Sequence, residues 1–455
     1  MELGPRMKIY GMSKRKIVNA LRNGEITIVV YGLGKMGLPL AVVFAEKGAT
    51  VIGVDIDENV VAMVNKGINP IKEENGLDEL LAKSVRDNGL IATCDPIKAA
   101  KDADVTIIIV PTFLNRDSTP DLEPVKSVCR SISKGIEAGD VVILENTAPP
   151  GTTDTVVQPI LEESGLKAGR DFGLAHCPER TYSGRAIKDI MGDLNPKIVG
   201  AIDSETTQAV EALYSVVNKR GVICLDDAKT AEAVKVFEGI YRDVNIALAN
   251  ELAMVCQELG IDAVSVFNAA NTDSCCHILM PGSGVGGHCI PVYPYFILNN
   301  VNRECKLIAT AREINDSMTA HMVELVTDGL KEIRKEVSDS EILVLGLSFR
   351  GDVKETRKSP AIPIIERLKV LKAKVYCYDP LFSKAEVEKF NVQYKSDFRK
   401  LDCIVIVSDH KEFRGYDWDK IGSEMRNRVI VDGRQIIDPA EVRGMGYIYR
   451  GVGHL

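Results

Sequence analysis

The residues with the clearest capacity for chemistry stand together between Met280 and Tyr295, in the stretch MPGSGVGGHCIPVYPY. Four glycines (Gly282, Gly284, Gly286 and Gly287) lead into His288 and Cys289, and then into Pro291 and Pro294. Glycine adopts backbone shapes that other residues find costly and lets a ligand approach the main chain. A cysteine at the end of such a run is held on a short loop with little bulk beside it, as a nucleophile would be. The same letters also describe a Gly/Pro loop with an incidental thiol, since free cysteine often packs as a small hydrophobe. The elements around the loop have to decide.

The first of these elements begins at Ile26. An apolar run to Tyr31 is followed by Gly32-x-Gly34-x-x-Gly37, an apolar helix, and a second strand that ends at Asp55. A GxGxxG that follows a strand, opens a helix and meets an acid about twenty residues on is a dinucleotide fingerprint. Gly32 permits the turn, Gly34 lets a pyrophosphate reach the helix N-terminus, and Gly37 lets helix and strand pack closely. Asp55 suits ribose hydroxyls and repels a 2′-phosphate, so NAD is expected rather than NADP. The continuous β-branched content of 104–110 reads as a buried parallel strand ending at Pro111-Thr112. Further strands end at Glu145-Asn146-Thr147 and at Cys177-Pro178-Glu179-Arg180. Ligands of an open parallel sheet sit at the carboxyl ends of its strands, which places Thr112, Glu145 and Glu179 near one crevice.

The longest helical pattern runs from about Ala228 to Ala269 and carries Lys235 and Asn245 as polar positions. Its length predicts a spine between domains or a dimer contact. A helix ending near Val337 is followed by a second strand-and-loop series at 341–349, 373–380, 401–410 and 428–434, which lacks a GxGxxG of its own. Arg350, Lys354, Arg357 and Lys358 follow its first strand, a cationic lip suited to a diphosphate.

A chain of 455 residues holds two or three domains. Its 45% hydrophobic and 26% charged residues are those of an ordinary globular protein, and a net charge of −8 argues against nucleic acid as partner. No apolar run approaches the roughly 20 residues needed to span a bilayer. The basic residues 1–23 lack a secretory core and read as a short helical extension. Eleven cysteines without CxxC pairs or a His/Cys ligand grid fit a reducing cytoplasm, and no metal site is expected.

Taken together, these motifs resemble the UDP-glucose/GDP-mannose dehydrogenase family from about Ile26 to the C-terminus. They are GLGKMGLP (32–39), VPT (110–112), ENTAPPGTT (145–153), HCPER (176–180), AEAVK (231–235), YRDVNIALANELA (241–253), PGSGVGGHC (281–289) and GLSFRGDVKETRKSP (346–360). The resemblance implies an α/β fold of two Rossmann-like doubly wound domains joined by a long central helix. NAD is expected at 24–215, a helical dimerisation domain carrying the Cys loop at 216–315, and UDP-sugar binding at 316–455. NAD contacts are expected from Gly32, Leu33, Gly34, Met36, Gly37, Asp55, Thr112 and Thr147. The implied chemistry is a four-electron oxidation of a sugar C6 to the carboxylate through a thiohemiacetal and thioester on Cys289. Lys235 would stabilise negative charge on the substrate oxygen, Glu179 would accept a proton, and Thr112 and Glu145 would lie near the nicotinamide and catalytic water. Arg180, Lys235, Gly286, His288, Lys354 and Arg357 would contact the UDP-sugar. The form GGHC, in place of GGSCF, points to UDP-N-acetylhexosamines and foremost to UDP-N-acetyl-D-mannosamine. UDP-N-acetylglucosamine and UDP-glucose remain alternatives. A homodimer or higher oligomer is implied, with no membrane partner.

Three positions depart from the family pattern. Tyr293 stands where relatives have an aspartate four residues after the nucleophile. Gly239 stands where an asparagine often follows the lysine, and Cys275 replaces an arginine before the glycine loop. Each removes a polar group from the usual mechanism, and losing one oxyanion donor costs about a hundredfold or more in turnover. A member that binds nucleotide sugar without turnover is therefore a second reading. A two-electron hydroxyacid dehydrogenase is a third, but it needs neither Cys289 nor a second α/β domain.

Overall fold

The computed structural model describes residues 6–182 and 184–454, so the first five residues of the basic extension lie outside it. Two compact units form, Met1–Glu238 with Tyr295–Val301, and Gly239–Pro294 with Asn302–Leu455. Residues 216–315 are thus shared between the units, and the division falls inside the long helix.

The first unit holds β1 (Thr27–Tyr31), β2 (Thr50–Val54), β3 (Leu90–Thr93) and β4 (Val105–Ile108). A hairpin of β5 (Phe113–Leu114) and β6 (Pro120–Asp121) stands apart, and β7 (Val141–Leu144), β8 (Gly173–His176), β9 (Lys197–Ala201) and β10 (Val222–Leu225) complete the sheet. Its order is β10-β9-β8-β7-β4-β1-β2-β3, parallel except where β8 meets β9. Every residue of β1, β4, β7 and β8 is buried, as strands covered on both faces must be. The strand order reverses between β1 and β4, which opens a crevice at their carboxyl ends.

The second unit repeats the plan. β11 (Glu341–Leu345), β12 (Lys374–Tyr378), β13 (Gln393–Tyr394), β14 (Cys403–Ile406), β15 (Val429–Asp432) and β16 (Ile448–Gly451) form an all-parallel sheet in the order β13-β12-β11-β14-β15-β16. Both sheets therefore show the doubly wound reversal on either side of their first strand. The strands not foreseen from sequence are β3, β9, β10, β13 and β16 and the hairpin strands β5 and β6; of these β3, β10, β13 and β16 are short strands at sheet edges. β10 in particular is half-exposed along its length, and its apolar run is only four residues long.

The long helix is shorter than its pattern suggests. It spans Ala228–Leu259 and stops at Gly260, whose φ is +71°. Asp262 then caps a new helix, Ala263–Ala270, by accepting from the amides of Val264 and Ser265. A left-handed glycine followed by an Asp cap is an ordinary stop and restart signal, and it outweighs the apolar period that runs through it. The helix Lys306–Glu332 likewise ends before Val337. Among the described residues, no helix is long and apolar enough to cross a membrane. All eleven cysteines are free.

The N-terminal extension belongs to the first core. Ile9, Ile17, Ala20 and Leu21 are buried, the last three on the helix Lys14–Arg22. Ahead of them Arg6 pairs with Asp140 at 2.6 Å and Glu137 at 3.0 Å, and Lys8 reaches Glu137 at 2.7 Å. Asp104 accepts from the amides of Thr27 and Met7. The two basic residues thus face carboxylates buried at the amino ends of β4 and β7.

Burial raises Asp104 from an ordinary 3.8 to about 6, and Asp140 is also raised by burial, with Arg6 opposing. A raised carboxyl holds its proton more tightly in the fold than in the unfolded chain. Its contribution to stability is complete below the unfolded value and is lost as pH climbs through about 6. Replacing Arg6 and Lys8 together by alanine should therefore destabilise the protein mainly above that pH, by about 3 kcal/mol, because buried charges lose their partners. Urea melts on either side of pH 6 check this; an equal loss at both pH values would contradict it.

Candidate active site

The dinucleotide turn forms as its spacing implies. Gly32 has φ +101°, and a Cβ on Gly37 would overlap the Gly32 carbonyl oxygen. A Cβ on Gly34 would meet nothing within 4 Å, so the turn is open where a pyrophosphate would lie. The helix Gly37–Glu46 carries no side-chain cap at its start, where an anion would dock, although Leu38 donates to the carbonyl of Gly34 and Pro39 has no amide hydrogen. Asp55 accepts from the amide of Leu33 at 2.8 Å and from that of Asp57 at 3.0 Å. The carboxylate is braced at the end of β2, and Ile56, 99% exposed, offers an apolar surface beside it. These features fit NAD. The Thr181 hydroxyl oxygen lies 2.8 Å from the sulfur of Met36, which brings the turn against the loop after β8.

Along the carboxyl ends of the same sheet, Thr112 accepts from Asn146 at 2.8 Å. Asn146 is buried, and its carbonyl oxygen has no partner. Thr147 lies half-buried in the next position. Its loop is held by Glu232 on the long helix, which accepts from the amide and hydroxyl of Thr153 at 2.7 Å and from the amide of Gly151. Burial pushes Glu232 up to about 7.

Glu145, expected near the nicotinamide and catalytic water, stands at the carboxyl end of β7. It is buried, with one oxygen paired to Lys197 and the other accepting from the hydroxyl of Tyr214. The Lys197 ammonium also lies 4.5 Å from the centre of the Tyr214 ring. Glu145 therefore anchors β7 to β9 and has both oxygens engaged. Glu179 accepts from the amide and hydroxyl of Thr181 through one oxygen. Arg180 pairs with Glu238 at 2.5 Å and donates to the carbonyl of Pro196. His176, wholly buried and near Lys197, is pushed down to about 3 by burial and stays neutral. Glu179, half-buried, is the one carboxylate of HCPER. Lys235 is half-buried on the long helix.

The Cys loop belongs to the second unit, where it lies against the loop after β11. A Cβ on Gly286 would stand 2.5 Å from Cβ of Phe349 and 2.8 Å from the carbonyl of Lys358. Gly287, with φ +90°, donates its amide to the carbonyl of Arg357 at 2.9 Å, its Cα side facing the Phe349 ring. Sequence reasoning missed the polar network behind the loop. Asn250 accepts from the amide of Gly282 at 2.8 Å and donates to Asn315 at 2.9 Å, and Asn315 donates to Asp243. Asp243 pairs in turn with the buried Arg312. Asp243 and Asn250 stand two helical turns apart, so a polar stripe within an otherwise buried segment was the available signal. Arg434, also missed, donates to the carbonyls of Val407 and Phe349 and lies beside Gly282.

At the end of this loop the His288 imidazole is raised above its ordinary value, chiefly by its hydrogen bond to Cys289, with burial opposing. Such coupling is reciprocal: a thiolate that favours imidazolium is itself favoured by it. Burial pushes the Cys129 thiol up to about 12 and those of Cys177, Cys377 and Cys403 higher still, so these stay protonated. In the cationic lip, Lys354 pairs with Glu386 at 2.7 Å and Arg357 with Glu355 at 2.9 Å. Cys275 is exposed in a turn, its amide bound to Asp273.

The second unit also repeats the dinucleotide turn in altered form. The amide of Gly346 donates to the carbonyl of Tyr378, and that of Leu347 to Asp379, as Gly32 and Leu33 do to Val54 and Asp55. Ser348 replaces the middle glycine, and its amide and hydroxyl both bind Asp379. His410 covers the same oxygen at 3.1 Å, and all three residues are buried. The carboxylate that would meet a ribose is sealed, so this sheet does not offer a second dinucleotide site.

Three domain models of the UDP-glucose/GDP-mannose dehydrogenase family match in order: the NAD binding domain at residues 26–218, the central domain at 229–317 and the UDP binding domain at 343–439. A UDP-N-acetyl-D-mannosamine dehydrogenase from Pyrococcus horikoshii is 38% identical over 426 residues, 94% of this chain and 99% of that one. An NDP-N-acetyl-D-galactosaminuronic acid dehydrogenase from Ralstonia solanacearum is 35% identical over 421 residues, 90% of this chain and 95% of that one. The solved structure of a UDP-D-ManNAc dehydrogenase from Pyrococcus horikoshii matches with a TM-score of 0.86 at 36% identity, covering 94% of this chain and 99% of that one. With the dinucleotide turn, the glycine loop and the second sheet all in place, the chain belongs to the UDP-glucose/GDP-mannose dehydrogenase family and is an NAD-dependent nucleotide-sugar dehydrogenase.

Proposed function

We propose that the protein oxidises C6 of UDP-N-acetyl-D-mannosamine to the carboxylate, giving UDP-N-acetyl-D-mannosaminuronate. The observation that carries this reading is the hydrogen-bonded His288–Cys289 couple at the end of a glycine loop seated on the β11 loop. NAD, held by the Gly32–Gly37 turn and Asp55, supplies the hydride acceptor for two successive oxidations. The chain's own residues hold and activate the sugar. Cys289, kept toward thiolate by His288, adds to the aldehyde carbon and retains it as a thiohemiacetal, and after oxidation as a thioester. Water then attacks the carbonyl carbon, the C–S bond breaks, and sulfur leaves as thiolate. Glu179 accepts a proton in the reaction, and the Lys235 ammonium stabilises negative charge on the substrate oxygen. Arg357, Lys354, Arg180 and Gly286 contact the nucleotide sugar, the two lip cations exchanging their present carboxylate partners for phosphate. Glu145 supports the site through Lys197 and Tyr214. The Ralstonia relative's name keeps a galacto epimer as the second substrate reading.

The protein works as a homodimer through the long helix. Tyr241, Leu248, Val255 and Leu259 are 64%, 47%, 45% and 67% exposed, and their spacing of seven, seven and four puts them on one face. An apolar stripe of that kind is rarely left to solvent. Free cysteines throughout and use of NAD fit the cytoplasm.

Over a panel of UDP-sugars at saturating NAD, UDP-N-acetyl-D-mannosamine alone should release two NADH per sugar consumed, read by absorbance. One NADH per sugar, or none from any sugar that binds, would refute the four-electron reading. Cys289→Ser should abolish carboxylate formation, and Lys235→Ala should lower kcat by about a hundredfold or more, as the loss of one group stabilising an oxyanion does. Wild-type turnover in either would remove that residue from its role. Changing Leu248 and Leu259 together to glutamate should give a monomer in light scattering; an intact dimer would place the contact elsewhere.

A further inference from the structure

Two of the three departures from the family pattern are one feature of the second unit. A Cβ on Gly239 would fall inside the van der Waals surface of the Tyr293 ring, and within 3.2 Å of its Cβ and Cγ. The ring occupies the volume that any side chain at 239 would need. It is not the movable end of a long chain, so it has little room to yield. Gly239 is buried and Tyr293 is 6% exposed, so the contact is internal. From the same residue, the Tyr293 amide donates to the carbonyl of Cys289 at 3.0 Å. One residue therefore grips the long helix with its ring and the nucleophile with its backbone.

We propose that Tyr293 is the positioning residue for Cys289: its ring, keyed onto Gly239, and its amide, bound to the Cys289 carbonyl, set the thiol against His288. The missing side chain at 239 and the large ring at 293 fit each other, and changing either alone spoils the seat. Restoring the family aspartate by itself is thus harmful. The inference deepens the role given to Cys289 above and rests on it.

The test reads Cys289 directly and uses neither sugar nor NAD. Iodoacetamide alkylation of the peptide carrying Cys289 is followed by mass spectrometry from acid to alkaline pH. The parent is compared with Tyr293→Phe, Tyr293→Asp, Gly239→Asn and the Tyr293→Asp/Gly239→Asn pair, each with its own thermal melt. Tyr293→Phe keeps the ring and should stay within about twofold of the parent, while Tyr293→Asp and Gly239→Asn each slow alkylation at neutral pH about tenfold and shift the profile alkaline. The double variant should recover most of the loss, a coupling of about tenfold between touching residues. Additive losses in the double variant, or a parental rate and profile in Tyr293→Asp, would overturn the proposal. Should Gly239→Asn not fold, Tyr293→Asp against Tyr293→Phe decides alone. A parent that alkylates as expected but oxidises no UDP-sugar would count against the proposed function and leave this inference standing.

Discussion

The glycine loop lies so close to the loop after β11 that no side chain fits between them. At Gly286 the nearest atoms are the Cβ of Phe349 and the carbonyl of Lys358, and at Gly287 the main chain is bonded to Arg357. This contact sets the rest of the second unit. It fixes the height at which His288 and Cys289 emerge, and it brings His288 into the same neighbourhood as Arg357. Because the nearest atoms at Gly286 are a Cβ and a main-chain carbonyl, no rotamer change can relax that contact. Behind it, Asn250, Asn315, Asp243 and Arg312 satisfy one another and hold the start of the loop to the long helix. Buried polar groups are costly unless bonded, and a closed network of this kind gives the loop a single position.

The same backbone device is used twice with opposite results. After β1, Asp55 braces a glycine turn and remains partly open, so ribose and pyrophosphate have a place to dock. After β11, Asp379 braces a similar turn but is covered by Ser348 and His410. The two sheets share their strand order, yet only one keeps the acid available. A single pair of side chains thus separates a dinucleotide site from a domain whose anion-binding groups lie elsewhere on its carboxyl edge. The N-terminal extension shows a comparable economy of role: Arg6 and Lys8 both face the buried carboxylate of Asp140 at the amino end of β7.

Much of this was legible in the chain because the chemistry demands particular residues at short spacing. Gly32, Gly34, Gly37 and Asp55 lie within one strand-helix-strand unit, and the buried strands announce themselves by continuous β-branched runs. What was not legible depends on long-range meeting of side chains. Glu145 stands at the end of a strand, where catalytic acids are found, but Lys197 and Tyr214 reach it from distant segments. Tyr293 and Gly239 look like two losses in sequence and like one fitted pair in space. The altered turn at Gly346 escaped notice because Ser348 breaks the glycine pattern, although its backbone bonds repeat those of Gly32. The break at Gly260 was readable locally, from the glycine and the Asp262 cap, but the apolar period runs through it unbroken.

The central claim is that Cys289 carries the acyl group between the second oxidation and hydrolysis. The most direct measurement is a quench of the wild-type enzyme during turnover with NAD and UDP-N-acetyl-D-mannosamine, followed by mass analysis of every cysteine-containing peptide. The expected result is a uronyl adduct on the Cys289 peptide, absent when NAD is omitted and discharged by hydroxylamine. An adduct on another cysteine, with the Cys289 peptide unmodified while carboxylate accumulates, would contradict it.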